Sequence, residues 1–436
     1  MELITRAPKG TADILPEKSN QWQLVEMVMQ SEAEINGFSE IRTPVFEHTE
    51  LFQRSVGDTT DVVEKQMYTF EDKGGRSVTL RPEGTAGAVR AMLESGLYNQ
   101  GYPVKLYYNT TCYRYEKPQA GRMREFRQFG VEMFGAAEAT ADAQLIAMAW
   151  SAFERLGLRD IALRLNSIGC PTCRAAYNQA LKAYFLGHKE ELCDTCLSRL
   201  DRNPMRILDC KSPVCAGIAE GAPKILDYLC DDCREHFRQV QDCLQAVGIP
   251  YEIDSSLVRG LDYYTRTVFE FVSGDIGAQS SIGGGGRYDG LVEELGGSPT
   301  PGVGYALGMD RVMLTLQAQG IELPAPELCE VYIASMTSEA NRKAFALTNE
   351  LHSCGVFADC DLCGRGLKAQ MKYANKIGAA YTIVLGEAEL ASGTAKMKNM
   401  KTGESAEISI GEDFVQDYIT QITGAEDTIN PENIEF

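Results

Sequence analysis

The chain has 436 residues, 42 basic against 61 acidic for a net charge of −19, with 44% hydrophobic and 24% charged residues. This balance is that of a soluble globular protein of two or three domains, and it excludes a general nucleic-acid binder, whose affinity needs clustered Lys and Arg, though a local basic cleft can coexist with an acidic total. No apolar run reaches the roughly 18 residues of a membrane span and the start, Met-Glu-Leu-Ile-Thr-Arg, lacks the parts of a signal peptide, so a cytoplasmic protein without membrane contact is expected.

Residues 17–36 carry Trp22, Val25, Met29 and Ala33 at helical spacing and are stopped by Gly37, which predicts a helix. Residues 38–46 read as extended, with Pro44 removing a ladder donor as at an edge or an interface. A strand at 78–81 runs into a turn made by Pro82 and Gly84 and then a helix over 86–93. At that corner Glu83 and Thr85 are either caps for the helix or groups that meet a ligand's ammonium. Residues 105–116 and 128–134 alternate as antiparallel strands around a loop at 117–127. With Arg114, this hairpin gathers five basic side chains beside Glu116 and Phe126, the inventory for a nucleotide: guanidinium for phosphate, an aromatic face for a base. A helix follows over 140–156.

Nine of the fourteen cysteines lie between Cys170 and Cys243, in a stretch that looks inserted because strand-like chemistry resumes only at Tyr251. Helices are expected there at 175–185 and 234–244. Cys170/Cys173, Cys193/Cys196 and Cys230/Cys233 are Cys-x-x-Cys pairs, and Cys210/Cys215 is a looser fourth, together enough for two tetrahedral thiolate Zn²⁺ sites. Spacing leaves open which pair joins which, and whether these are simply reduced buried thiols.

Residues 257–271 place Arg259, Arg266, Asp262 and the adjacent Tyr263 and Tyr264 in a β-prone run, a mixture costly to bury unless it binds something. A strand over 263–271 would set Arg259, Leu261 and Tyr263 on one face and Asp262, Tyr264 and Arg266 on the other. The four glycines at 283–286 read as a flexible loop or as backbone on which a ligand lies. Residues 301–314 read as a small-residue strand turning into a helix with Arg311 in its first turn, placed for triphosphate or for a surface pair with Asp310. Beyond a Pro-Ala-Pro linker at 324–326, strands at 331–335, 356–359 and 381–385 alternate with helices at 339–353 and 367–377. A hairpin at 396–410 and a helix at 412–422 follow, which together imply a separate α/β domain with a mainly parallel sheet.

The hairpin Tyr113-Arg-Tyr-Glu-Lys-Pro-Gln-Ala-Gly-Arg-Met-Arg-Glu-Phe-Arg-Gln-Phe-Gly-Val-Glu132 and residues 302–314 resemble the second and third signature motifs of class II aminoacyl-tRNA synthetases. Residues 257–271 and 281–290 resemble the two histidine-specific signatures of the histidyl-tRNA synthetase family, and the likeness spans essentially the whole chain. It implies an α+β catalytic domain on an antiparallel sheet, in two parts (1–168 and 251–325). It also implies a helical Cys-rich insertion (169–250) and a C-terminal α/β anticodon-binding domain (326–424), beyond which residues 425–436 read from their composition as a polar, acidic tail. A homodimer with the Pro44 segment at its interface is implied too. The implied activity is ATP-dependent formation of histidyl-adenylate from L-histidine, with Mg²⁺ accompanying the ATP, then transfer of histidine to the 3′ end of tRNA-His.

By the same likeness Arg114 holds the α-phosphate, Arg259 approaches it from the opposite side, and Arg311 grips the distal phosphates and covers the adenine. Phe126 stacks on the other face of the base, and Glu116 and Arg122 complete the nucleotide site. Glu83, Thr85 and Gln128 are implied for the amino and carboxylate ends of histidine. Glu132 and Tyr264 are implied for its ring, with Tyr263 beside them. Position 127 departs from the pattern, being Arg where relatives often have His. The rival reading, a catalytically dead paralogue that regulates the first enzyme of histidine biosynthesis, would lack several of these residues and commonly the last domain. Arg114, Arg259, Arg311, the tyrosine pair and the α/β tail are all present.

Overall fold

The computed structural model describes residues 4–57, 60, 62–210, 212–324 and 329–423. The chain divides into two compact units, residues 1–323 and 324–436. The first is built on an eight-stranded sheet in the order Ser39–Glu40, Val104–Tyr113, Glu125–Phe134, Gly302–Gly308, Ser281–Arg287, Thr265–Ser273, Ile161–Ser167, Glu252–Ile253. The six inner strands are antiparallel throughout, and only the two-residue edge strands pair in parallel.

The hairpin is in register from Val104 opposite Phe134 to Tyr113 opposite Glu125. Alternation along its second strand puts Phe129, Val131 and Met133 into a core with side chains of the helices Pro16–Ile35, Ala139–Arg155 and Met309–Ala318. The opposite alternation leaves Phe126, Gln128, Gly130 and Glu132 on the other face.

The four-glycine run is an inner strand, not a flexible loop. Its neighbours approach so closely that a Cβ on Gly285 would lie 2.0 Å from the Gly304 carbonyl oxygen. The run at 263–271 also departs from expectation: the strand begins only at Thr265, and residues 257–264 lead into it as a loop. Tyr263 and Tyr264 therefore do not alternate. Both are buried, with ring centroids 4.7 Å apart. The cause is a bulge, marked by a φ of 49° at Arg266 and a register shift between Gly286 and Arg287, which turns the chain out of the sheet.

The cysteine-rich segment leaves the sheet after Ile161–Ser167 and returns as Glu252–Ile253, which pairs beside the strand it left, Arg164 opposite Glu252. Between them lie the helices Pro171–Leu186, Asp194–Arg202, Pro213–Glu220 and Asp231–Ala246. Sequence periodicity located the first and last. The middle two, of nine and eight residues, each span fewer than three turns, too few for a repeating period to stand out.

In the second unit the strands run Ala358–Cys360, Val331–Ser335, Tyr381–Leu385, Thr394–Asn399, Ser405–Ser409, the first three parallel and the last two antiparallel. The helices are Ser338–Ser353, Leu367–Lys376, Glu387–Ser392 and Phe414–Thr423, of which the third was not foreseen. The tail at 425–436 and most of the Pro-Ala-Pro linker lie outside the described residues.

One fully buried ion pair joins three of these elements. Arg287, at the end of the glycine strand, pairs with Asp142 of Ala139–Arg155 and donates to the carbonyls of Ala136 (2.8 Å) and Glu138 (3.2 Å). His236, on the last insertion helix, lies 3.4 Å from the same carboxylate. Burial opposes ionisation of Asp142, but His236 and Arg287 hold it below the usual carboxylate range. Removing one partner of such a pair leaves an uncompensated buried charge. Asp142→Ala is therefore expected to destabilise the first unit by about 3–5 kcal/mol, read as a lowered guanidinium midpoint.

Candidate active site

Glu83, Thr85, Arg114, Glu116, Arg122, Phe126, Gln128, Glu132, Arg259, Tyr263, Tyr264 and Arg311 all line one cavity of about 230 Å³. Backbone of Gly283, Gly284 and Gly304 lines it too, so strands without side chains open the sheet's surface to a ligand.

One part of the cavity is built around buried carboxyls. Tyr108 donates to one oxygen of Glu132 at 2.9 Å, and Tyr288 donates to the other. Gly304 stands opposite Glu132 in register, and a Cβ there would lie 2.0 Å from that second oxygen. Burial, against the two tyrosine hydroxyls, pushes the Glu132 carboxyl up to about 8. Burial also raises Glu83, although the amides of Thr85 (2.8 Å) and Ala86 (2.9 Å) donate to its two oxygens. Glu83 thus caps the helix Thr85–Glu94 and faces the cavity at once, where the sequence left the two as alternatives. Gln128 accepts from the Gly84 amide at 3.0 Å, which fixes its head group.

The other part is cationic, although the chain as a whole is acidic. Arg114 donates to the Pro82 carbonyl at 2.8 Å and lies 5.2 Å from the centre of the Phe126 ring. Arg122 pairs with Glu116 at 3.4 Å. Arg311 is held by the carbonyls of Gly121 (3.0 Å) and Ser281 (2.6 Å). Burial, then the nearby Arg122 and Arg114, lower its pKa, the mark of a place that wants an anion. Arg259 pairs with Glu270 at 2.8 Å, and Ser281 also donates to Glu270, at 2.7 Å. The Nε of Arg259 is buried with no hydrogen-bond partner.

Sequence reasoning missed Tyr108, Tyr288 and Glu270. Tyr108 had a faint signal, a large side chain two residues from Thr110 on the face that Gln128 shares. Tyr288 and Glu270 lie inside the signature stretches 281–290 and 257–271, but nothing there pointed to their partners, which are more than ten residues away in the chain.

The structure also decides how the cysteines group. Cys170, Cys173, Cys230 and Cys233 come together, as do Cys193, Cys196, Cys210 and Cys215, with the sulfurs of each set within 4.8 Å of one another. All are free thiols. Burial acts against it, but the amide and thiol of Cys173 bring the Cys170 thiol down to about 6. The amide of Cys196 likewise leads in bringing Cys193 to about 7, whereas burial raises the thiols of Cys173, Cys233, Cys196 and Cys210 in the same two sets.

The raised pKa of Glu132 has a consequence for stability. From an ordinary 4.5 to about 8 the folded state keeps a proton that the unfolded chain has lost. The contribution is therefore fully present below pH 4.5, falls as the pH rises, and is gone above about 8. Glu132→Gln removes this fall, so the melting temperature of the ligand-free variant is expected to gain on the parent steadily from about pH 5 to pH 8. A constant offset between the two melting curves would contradict it.

A family model described as histidyl-tRNA synthetase matches residues 10–182 and 219–312, and one described as an anticodon binding domain matches residues 330–417. The histidine–tRNA ligase of Caldanaerobacter subterraneus is 54% identical over 94% of this chain and 98% of its own. That of Acetivibrio thermocellus is 53% identical over the same shares, 94% and 98%. The crystal structure of apo S. aureus histidyl-tRNA synthetase aligns with a TM-score of 0.80 at 40% identity, covering 93% of this chain and 98% of that one. Matched over more than half of its length by the histidyl-tRNA synthetase model and over 94% of it by relatives of that kind, the chain belongs to the histidyl-tRNA synthetase family.

Proposed function

We propose that this cavity is where the chain activates L-histidine with ATP. Family membership assigns the overall reaction: histidine and ATP give histidyl-adenylate and diphosphate, and the histidyl group then passes to the 3′ end of tRNA-His as AMP leaves. The observation that carries the placement is the meeting of Glu83 and Glu132 with Arg114, Arg259 and Arg311 in one cavity, from four separate stretches of chain.

In the first step an oxygen of the histidine carboxylate attacks the α-phosphorus, and diphosphate leaves in line. Charge accumulates on the phosphoryl oxygens, and fixed guanidinium groups stabilise it without reorganising. Arg114 acts from the hairpin and Arg259 from the loop facing it. Arg311 holds the distal phosphates and covers the adenine, which rests on Phe126, while Glu116 and Arg122 complete the nucleotide site. Mg²⁺ enters with ATP as part of the substrate.

Histidine's ammonium meets Glu83 and Thr85, and its carboxylate lies by Gln128. Its ring nitrogens meet Glu132 and Tyr264, with Tyr263 alongside. An analogue without the ring nitrogens would leave those buried groups unpaired, which is the physical source of selectivity.

The same reading divides the chain into a catalytic domain (1–168 and 251–325), an insertion (169–250) holding Zn²⁺, and an anticodon-reading domain (326–424). It also makes the protein a cytoplasmic homodimer. Supporting the last point, Val45, Phe46 and Phe70 are exposed on or beside the two edge strands of a small sheet, Phe46–His48 and Tyr68–Glu71. Among the described residues no helix is long and apolar enough to cross a membrane.

Purified protein is expected to catalyse ATP–diphosphate exchange with histidine and with no other amino acid. Arg259→Ala is expected to slow that exchange by about 10²–10³-fold. Exchange absent from well-folded protein, or undiminished in the variant, would refute the assignment of the site. Light scattering is expected to give twice the chain mass, and Phe46→Asp the mass of one chain.

A further inference from the structure

We propose that the insertion binds two Zn²⁺ ions, one at Cys170, Cys173, Cys230 and Cys233 and one at Cys193, Cys196, Cys210 and Cys215, and that through them it braces the 257–264 loop of the active site from two sides. This deepens the zinc reading of the insertion and rests on it.

The sulfurs of each set are close enough together for a tetrathiolate site. Zn–S bonds of about 2.3 Å at tetrahedral angles put sulfurs about 3.8 Å apart. Cys170 and Cys173 are 3.5 Å apart, and Cys193 and Cys210 are 3.9 Å apart. These are far from the roughly 2.05 Å of a disulfide. Cys170, Cys193 and Cys230 are each the N-cap of a helix, with the second cysteine of the pair three residues on in its first turn. Amides reach across within each set: Cys230 donates to the sulfur of Cys173 at 3.1 Å and Cys193 to that of Cys215 at 3.3 Å. Amide donors and helix N-termini favour thiolates. Four thiolates this close repel one another unless a cation lies between them.

What the sites hold in place is the second half of the inference. The first set brackets two contacts to the loop's end. Backbone bonds tie Ile168 and Gly169 to Arg266 at 2.8 and 2.9 Å, just before Cys170. Arg174, just after Cys173, donates to the Tyr264 carbonyl at 3.1 Å. The second set brackets the other side. Between Cys196 and Cys210, Arg206 donates to Asp262 at 2.9 Å and to the Gly260 carbonyl at 2.7 Å, and Asn203 reaches Asp262 at 3.1 Å. The segment that presents Arg206 hangs on a helix of nine residues, a length that does not hold itself in water. A metal joining its two ends supplies the rigidity. The loop it steadies carries Arg259, Tyr263 and Tyr264.

Full-length protein purified without chelator is expected to contain two equivalents of zinc per chain, as eight thiolates in fours require. Cys173→Ser and Cys196→Ser are each expected to lose one. Arg206→Ala keeps the metal but is expected to raise the KM for histidine about tenfold and, because the same loop carries Arg259, to slow exchange at saturating substrates, as for the loss of a charged hydrogen bond. If a cysteine variant fails to fold, titrating the parent's thiols with a mercurial and a zinc-sensitive dye reads the same stoichiometry. Clearly less than two equivalents of zinc, or cysteines found as disulfides, overturns the pair of sites. An unchanged histidine KM in Arg206→Ala overturns the brace. Metal content is measured without reference to activity, so protein that activates histidine but lacks zinc refutes the zinc sites and the brace and leaves the ligase placement standing. Protein with zinc and no exchange refutes only the ligase placement.

Discussion

The pair between Arg287 and Asp142, excluded from water, is the joint on which the first unit turns. It fastens the end of the glycine strand to the helix Ala139–Arg155, and His236 brings the last insertion helix to the same carboxylate. Next to that joint the register slips and Arg266 takes a left-handed conformation, so the chain entering from the tyrosine loop is turned towards the cavity rather than continuing the sheet. A buried ion pair adds little net stability over an apolar contact of the same volume, but it tolerates few alternative geometries. Here one geometry is what the cavity requires, since the bulge sets where Tyr263 and Tyr264 stand.

The cavity itself divides charge. Carboxyls are buried among tyrosine hydroxyls and backbone amides on one side, and arginines are crowded together on the other. Both arrangements are uncomfortable without ligand: Glu132 tends to keep its proton, and Arg311 is pushed below its ordinary pKa by burial and then by neighbouring cations. An amino acid and a triphosphate between them relieve both. Preorganisation of this kind is strain that the fold sustains because the strands beneath it are pinned, Gly285 and Gly304 being too close to their neighbours to allow any side chain.

The insertion is connected to this chemistry more directly than a surface appendage would be. Its chain leaves and re-enters at one edge of the sheet, and side chains from inside it, Arg174 and Arg206, hold carbonyls of the loop that bears Arg259. A loop with no strand of its own to pair with needs such outside partners to keep its backbone in place.

Much of this was legible in the chain. Period-2 alternation found the hairpin, period-3.6 spacing found the long helices, and the α/β alternation after residue 330 found the second unit, because local sterics and amphipathicity write those patterns directly. Strand alternation puts Phe126, Gln128 and Glu132 on the face that lines the cavity, while the other expected residues reach it from turns, loops and helix starts that only the fold brings together. What the sequence could not express were relations between distant segments. It did not reveal that four glycines form an inner strand, since the reason lies in the backbones on either side. Nor did it reveal that Tyr263 and Tyr264 face the same way, since the reason is a bulge opposite Arg287, or that Tyr108 and Tyr288 converge on Glu132. The cysteine spacing determined that thiols come in pairs. Only the packing of four helices decided which pairs meet, because spacing along a chain fixes neighbours within one turn and says nothing of which turns come together.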